Sequence, residues 1–151
     1  MKLTTLTIAA FAVLALGTVP SAQAQNRGCS NGIMKGTFTF WSTGSFIAPP
    51  SLVENGAEVG TQTFDGTGGT TGSAMLSSNG TIIPVTWTGT YTVNADCTGT
   101  YSLLISPFNV TIRSYFVVGN NGTEFQAIET EPGFVFIRVG RRQFPVGDWR
   151  Q

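Results

Sequence analysis

The sequence predicts an all-β protein, an antiparallel up-and-down barrel of about eight strands, and three observations carry that expectation. In IIPVTWTGTYTV, residues Ile83, Val85, Trp87, Gly89, Tyr91 and Val93 share one face while Thr86, Thr88, Thr90 and Thr92 share the other. Alternation that clean belongs to a strand with one dry face and one wet face. Nowhere do apolar residues recur at helical spacing over three turns, and glycine and threonine are abundant where lysine is scarce. Turn chemistry recurs at short intervals: Asn79-Gly80 and Asn121-Gly122 tolerate the positive φ of primed hairpin turns, and Glu131-Pro132-Gly133-Phe134 has the Pro-Gly centre of a type II turn.

The chain opens with a leader. MKLTTLTIAAFAVLALGTVPSAQAQ has one early lysine, an apolar run from Ile8 to Leu16, the breakers Gly17 and Pro20, and small residues at Ala22 and Ala24. That is the three-part build of a secretory signal peptide, with residues 1–24 removed and one domain, 25–151, left as the exported protein. The apolar run is too short for a stable membrane anchor, and no second apolar span follows. Secretion or delivery to a bacterial periplasm is the expected destination.

Period-two patterning then places strands at 33–42, 57–65, 69–77, 81–93, 98–106, 110–118, 123–130 and 134–142. Consecutive hairpins make a meander, which closes into a barrel or folds into a sandwich. Closure is favoured over a β-sandwich because Greek-key sandwiches need a long crossing connection. The one long link is GSFIAPPSLVENG, Gly44 to Gly56, apolar where loops are usually polar. Its Phe46, Ile47, Leu52 and Val53 are read as a cap or lid over a barrel mouth, or as a surface for a partner. Gly89, in the middle of a dry face, is read as a kink or bulge. GTGGTTG, residues 66–72, is read as a turn and strand start rather than a phosphate loop, since no helix follows it.

Thr-Gly-Thr-Tyr occurs twice, at Thr88–Tyr91 and Thr98–Tyr101, as two strands of one hairpin joined at Asn94-Ala95-Asp96. Cys97 follows that turn. With Cys29 it makes the only cysteine pair, and an oxidising compartment favours a disulfide that ties the N-terminal segment to the sheet.

Composition removes several chemistries. The chain has no histidine, which excludes Ser-His-Asp and Cys-His nucleophile systems and a histidine metal site; no metal or cofactor is expected. Loss of Lys2 with the leader leaves seven Lys+Arg against eight Asp+Glu, a net charge of −1, so no basic field draws nucleic acid or anionic lipid. Glu54, Glu58, Asp65, Glu124 and Glu129 show no spacing that selects a catalytic pair. If the Pro132-Gly133 turn sets the register, Ala127 lies opposite Arg138 and Glu129 opposite Phe136. Glu129 and Arg138 are then diagonal neighbours on the face carrying Phe125, Phe134 and Phe136. This pair is either a polar anchor inside the barrel or a solvated pair, because the opposite face, with Ile128, Val135, Ile137 and Val139, is equally apolar.

At TGTYTVNADCTGTY, FVVGNNGTEFQAIETEPG and the closing Arg141-Arg142-Gln143, the chain resembles small secreted bacterial proteins of the allene oxide cyclase-type, calycin-like β-barrels. The resemblance implies an eight-stranded antiparallel barrel with an apolar cavity. It carries over no catalytic residue.

The leading expectation is therefore an exported, disulfide-stapled barrel that binds a small apolar molecule. Trp87, Tyr91, Phe125 and Phe136 are candidate lining, and Glu129 and Arg138 candidate polar anchors. The alternatives are a filled barrel acting as a structural or interaction protein of the cell envelope or matrix, and a cyclase- or isomerase-type enzyme.

Overall fold

A computed structural model describes residues 28–48 and 52–144; the leader, 1–24, lies outside them, as does Pro49-Pro50. Eight antiparallel strands close in sequence order: β1 (Gly36–Ala48), β2 (Leu52–Phe64), β3 (Gly69–Ser78), β4 (Thr81–Val93), β5 (Thr98–Ser106), β6 (Val110–Gly119), β7 (Glu124–Glu129) and β8 (Phe134–Arg142). β8 returns to pair with β1, from Phe38↔Arg142 to Phe46↔Phe134. Closure leaves no sheet edge and replaces the sandwich alternative.

The threonine alternation has the expected cause. Trp87 and Tyr91 are buried inside the barrel, and Thr86, Thr88, Thr90 and Thr92 face outward and are exposed. The Ala127↔Arg138 register is also as the Pro-Gly turn requires, with Gly133 at φ 84° and the Phe134 N–H donating to the Glu131 carbonyl at 3.2 Å. Asn79 and Gly80 carry the positive φ values, 46° and 87°, of a primed turn. GTGGTTG makes a turn and then β3: the Asp65 carboxylate accepts N–H bonds from Thr67, Gly68 and Gly69 at 2.7–2.9 Å. Those bonds hold its carboxyl down at about 2.

Four expectations are corrected. Residues 31–34 form a 3₁₀ turn rather than the start of a strand, and β1 begins only at Gly36, whose φ is 131°. The Gly44–Gly56 segment is mostly strand. It extends the β1–β2 hairpin in unbroken register to Ala48↔Leu52, with Phe46 turned toward the interior and Ile47 and Val53 exposed. The Asn121-Gly122 turn is longer than a two-residue hairpin loop, because Asn120, Asn121 and Gly122 all take positive φ. Gly89 makes no bulge: it pairs in register with Thr70 and with Leu103. A Cβ at Gly89 would instead fall 2.1 Å from the Ser102 carbonyl oxygen.

Glycine has a second role inside. Trp87, Phe116, Phe125 and Phe136 lie directly opposite Gly72, Gly99, Gly140 and Gly44 on the neighbouring strands. Each ring occupies the space that a Cβ on its glycine would take, with ring atoms 2.2–2.7 Å from the ideal Cβ position. A narrow barrel accommodates large rings by laying each one on bare backbone.

One end of the barrel is sealed. Met34 of the 3₁₀ turn is completely buried above Phe38, Phe64, Phe116 and Phe125, whose rings meet mostly edge to face at 5.5–6.3 Å. Arg142 anchors this plug, donating to the carbonyls of Ile33 at 2.8 Å, Gly122 at 2.7 Å and Lys35, with its guanidinium 4.7 Å from the Phe38 ring centre. Asn31 adds two ties, accepting from the Val93 N–H at 2.7 Å and, through its carbonyl, from the Tyr91 hydroxyl at 2.9 Å. The Cys29–Cys97 disulfide fixes the segment leading into the plug, with Cα atoms 4.9 Å apart.

Candidate binding cavity

The end opposite the plug is hollow. Between the β1–β2, β3–β4, β5–β6 and β7–β8 hairpin ends lies a cavity of about 320 Å³. Inward positions of six strands wall it: Phe46, Leu76, Val85, Trp87, Leu103, Ile105, Ile112, Phe134 and Phe136. Every one of these residues sits on the inward parity set by the ladder, so the same period-two rule that builds the core builds this lining. Glu54 and Ser78, joined by a 3.2 Å hydrogen bond near the strand ends, add polarity toward the mouth.

The floor is ionic. Arg138 donates from Nη2 to Glu58 Oε1 at 2.6 Å and from Nη1 to Gln62 Oε1 at 3.2 Å. Gln62 in turn donates to the Thr70 hydroxyl, which donates to the Thr63 carbonyl at 2.9 Å. The guanidinium lies 4.3 Å from the Phe40 ring centre and 5.3 Å from that of Trp87. Burial works against its charge, but Tyr101, Glu58 and Glu129 favour it and the net direction is upward, so Arg138 remains a cation at all ordinary pH values.

Glu129 is different. It lines the cavity, and its Oε2 is fully buried without a hydrogen-bond partner. Burial pushes its carboxyl up to about 7 against the opposing pull of Arg138, with Glu58 adding to the rise. Burial likewise raises the Tyr101 hydroxyl, which packs below this layer. The site thus holds one neutralised cation and one carboxyl poised between its two protonation states near neutrality.

The six residues singled out from the sequence divide between the two halves of the barrel. Trp87, Phe136, Glu129 and Arg138 line the cavity together. Tyr91 and Phe125 do not: both pack against Phe64 in the filled half, at 4.9 and 5.7 Å between ring centres. Facing inward is common to all six, but height along the barrel axis separates them, and height depends on strand stagger. Sequence reasoning missed the role of Gln62 and did not single out Glu58 from the other acids. The available signal was their i, i+4 spacing on one face of the strand placed at 57–65, but nothing local showed that Arg138 would close against it.

No protein-family model matches the chain, and no curated protein matches it. Among solved structures it is similar to a redesigned beta barrel, with 18% sequence identity, coverage of 76% of this chain and 95% of that one, and a TM-score of 0.49.

Proposed function

We propose that this protein is an exported, disulfide-stapled barrel that carries a small, mostly apolar molecule in the open half of its interior. Trp87, Phe136, Glu129 and Arg138 would be among the residues touching it. One observation carries this reading: within a single barrel, rings and Met34 fill one half while the other encloses about 320 Å³ behind mostly apolar walls. Side chains around a void lose contact partners, a cost that a bound molecule offsets. The volume lies at the small end of the range for small-molecule sites, roughly 300–1,000 Å³. The leader at 1–24 and the Cys29–Cys97 bridge support export of a domain spanning 25–151. The resemblance to allene oxide cyclase-type barrels supports a cavity of this kind. Cyclisation or isomerisation within it is the catalytic version of the reading, with Glu129 as the group available to move a proton.

Native mass spectrometry of protein purified from its own host tests the reading, paired with titration of a fluorescent apolar dye. A co-purified small molecule, or saturable dye binding at one site per chain that Ile83→Trp abolishes without lowering the melting temperature, is the expected result. A chain that arrives empty and binds no dye overturns it. Intact mass of the exported form beginning at Gln25 checks the leader.

An interaction role is the second reading, favoured by the outer wall. Trp41, Val59 and Met75 stand side by side on β1, β2 and β3, and all three are exposed, Val59 the most. Sedimentation showing only monomer, and no change in host-cell complexes on Trp41→Ser, would remove it.

A further inference from the structure

Resting on the binding reading above, we infer that the molecule held in the cavity is a neutral amphiphile, an apolar chain or ring bearing a hydroxyl, with that hydroxyl directed at Glu129. Charge and hydrogen bonding over the lining select the head group. Four ionisable side chains face the cavity: Glu54, Glu58, Glu129 and Arg138. Arg138 is the sole cation among them, and it is already engaged by Glu58 at 2.6 Å and Gln62 at 3.2 Å, with aromatic faces beside it. An anionic head group therefore finds no free cation on the floor, and Glu54 stands toward the mouth where a carboxylate would otherwise point out. Burying it there would leave a charge unpaired, which apolar surroundings penalise heavily.

The lining holds three carboxyls against one guanidinium, so a cationic head is drawn in once Glu129 ionises; below about pH 7, with Glu129 protonated and Glu58 paired to Arg138, it finds no free carboxylate on the floor. A hydroxyl fits. It donates to Glu129 when the carboxyl is ionised and accepts from it when protonated, so it satisfies this otherwise unpartnered group in either state. Trp87 adds a buried indole N–H that also lacks a partner and that an alcohol oxygen can satisfy, while Ile83, Val85, Leu103, Ile105 and Phe136 offer only apolar contact to the rest of the molecule.

The experiment compares decanol, decanoate and decylamine, which share a chain and differ in head group, by competition against the dye at about pH 6, where Glu129 holds its proton. Decanol should bind at least about tenfold tighter than either charged analogue. Glu129→Gln, which can still donate and accept, should keep decanol binding within about threefold, whereas Glu129→Leu should weaken it by about tenfold. Circular dichroism melts show that each variant is folded. If decanoate or decylamine binds best, or if Glu129→Leu binds decanol as well as the parent, the inference is wrong while the binding reading stands. If no analogue and no dye binds, both fall.

Discussion

Arg138 reaches over Ser42 to Glu58, and the resulting 2.6 Å ion pair floors the cavity two strands away from its own backbone. Ser42 pairs with Glu58 on one side and with Arg138 on the other, so β1 is the bridge on which the pair is built. Both side chains are nearly buried, at 7% and 11% exposure, which sets the energetics. Deleting one partner leaves the other uncompensated. Arg138→Met is expected to cost ~3–5 kcal/mol, and adding Glu58→Gln should recover most of that loss. Urea unfolding with an unchanged m-value is the measurement; a single variant as stable as the parent would show that the pair is solvated.

The filled half makes a steric prediction. Phe125 covers Gly140, and a Cβ on that glycine would lie 2.2 Å from the ring. Gly140→Ala must push Phe125 out of its packing with Phe38 and Phe64, costing ~1–3 kcal/mol. Gly119→Ala is the control, because its φ of −116° suits any residue and nothing lies within 4 Å of the added methyl. It should change stability by less than ~0.5 kcal/mol.

The plug is held covalently by Cys29–Cys97 and non-covalently by Arg142. The bridge closes a loop of 68 residues, for which chain entropy gives ~4 kcal/mol, so the Cys29→Ser, Cys97→Ser double variant should unfold at markedly lower urea. Its native fold should survive at low temperature, since Arg142 still satisfies the carbonyls of Ile33, Lys35 and Gly122. Adding Arg142→Ala should remove that remaining anchor, read as loss of amide protection in residues 31–34 ahead of the strands.

The sequence carried the barrel because its evidence is local: alternation, turn residues and short links are all written within a few neighbouring positions. Period also placed Trp87 and Tyr91 inside, but it left the face of the last hairpin open, since Ile128, Val135, Ile137 and Val139 make an equally apolar one; closure turns Phe125, Phe136 and Arg138 inward. How high each sits along the axis did not follow. Tyr91 and Trp87 are four residues apart on one strand, yet one seals the plug and the other walls the cavity. That distinction arises from the stagger summed around eight ladders and from a 3₁₀ turn whose four residues carry no periodic signal. The Arg138–Glu58–Gln62 network was hidden for the same reason, since its members are 76 and 80 residues apart and meet only on closure.

Glu129 should write its burial into the pH dependence of stability. Its carboxyl rises from an ordinary 4.5 to about 7 on folding, chiefly through desolvation. Between those values the folded protein holds a proton that the unfolded chain has released, so this group's contribution is fully present below pH 4.5. It declines as the pH rises and is lost above about 7, a change of up to ~3 kcal/mol. Asp65 acts in the other direction and in another window: its depressed carboxyl contributes above pH 3.8 and fails as the pH drops toward 2, leaving the range from 4.5 to 7 clear. Urea midpoints measured from pH 4.5 to 8 should therefore fall for the parent and stay nearly level for Glu129→Gln. Parallel curves for the two proteins would mean that the Glu129 carboxyl is ionised and hydrated in the folded state, and with it the neutral floor of the cavity would be lost.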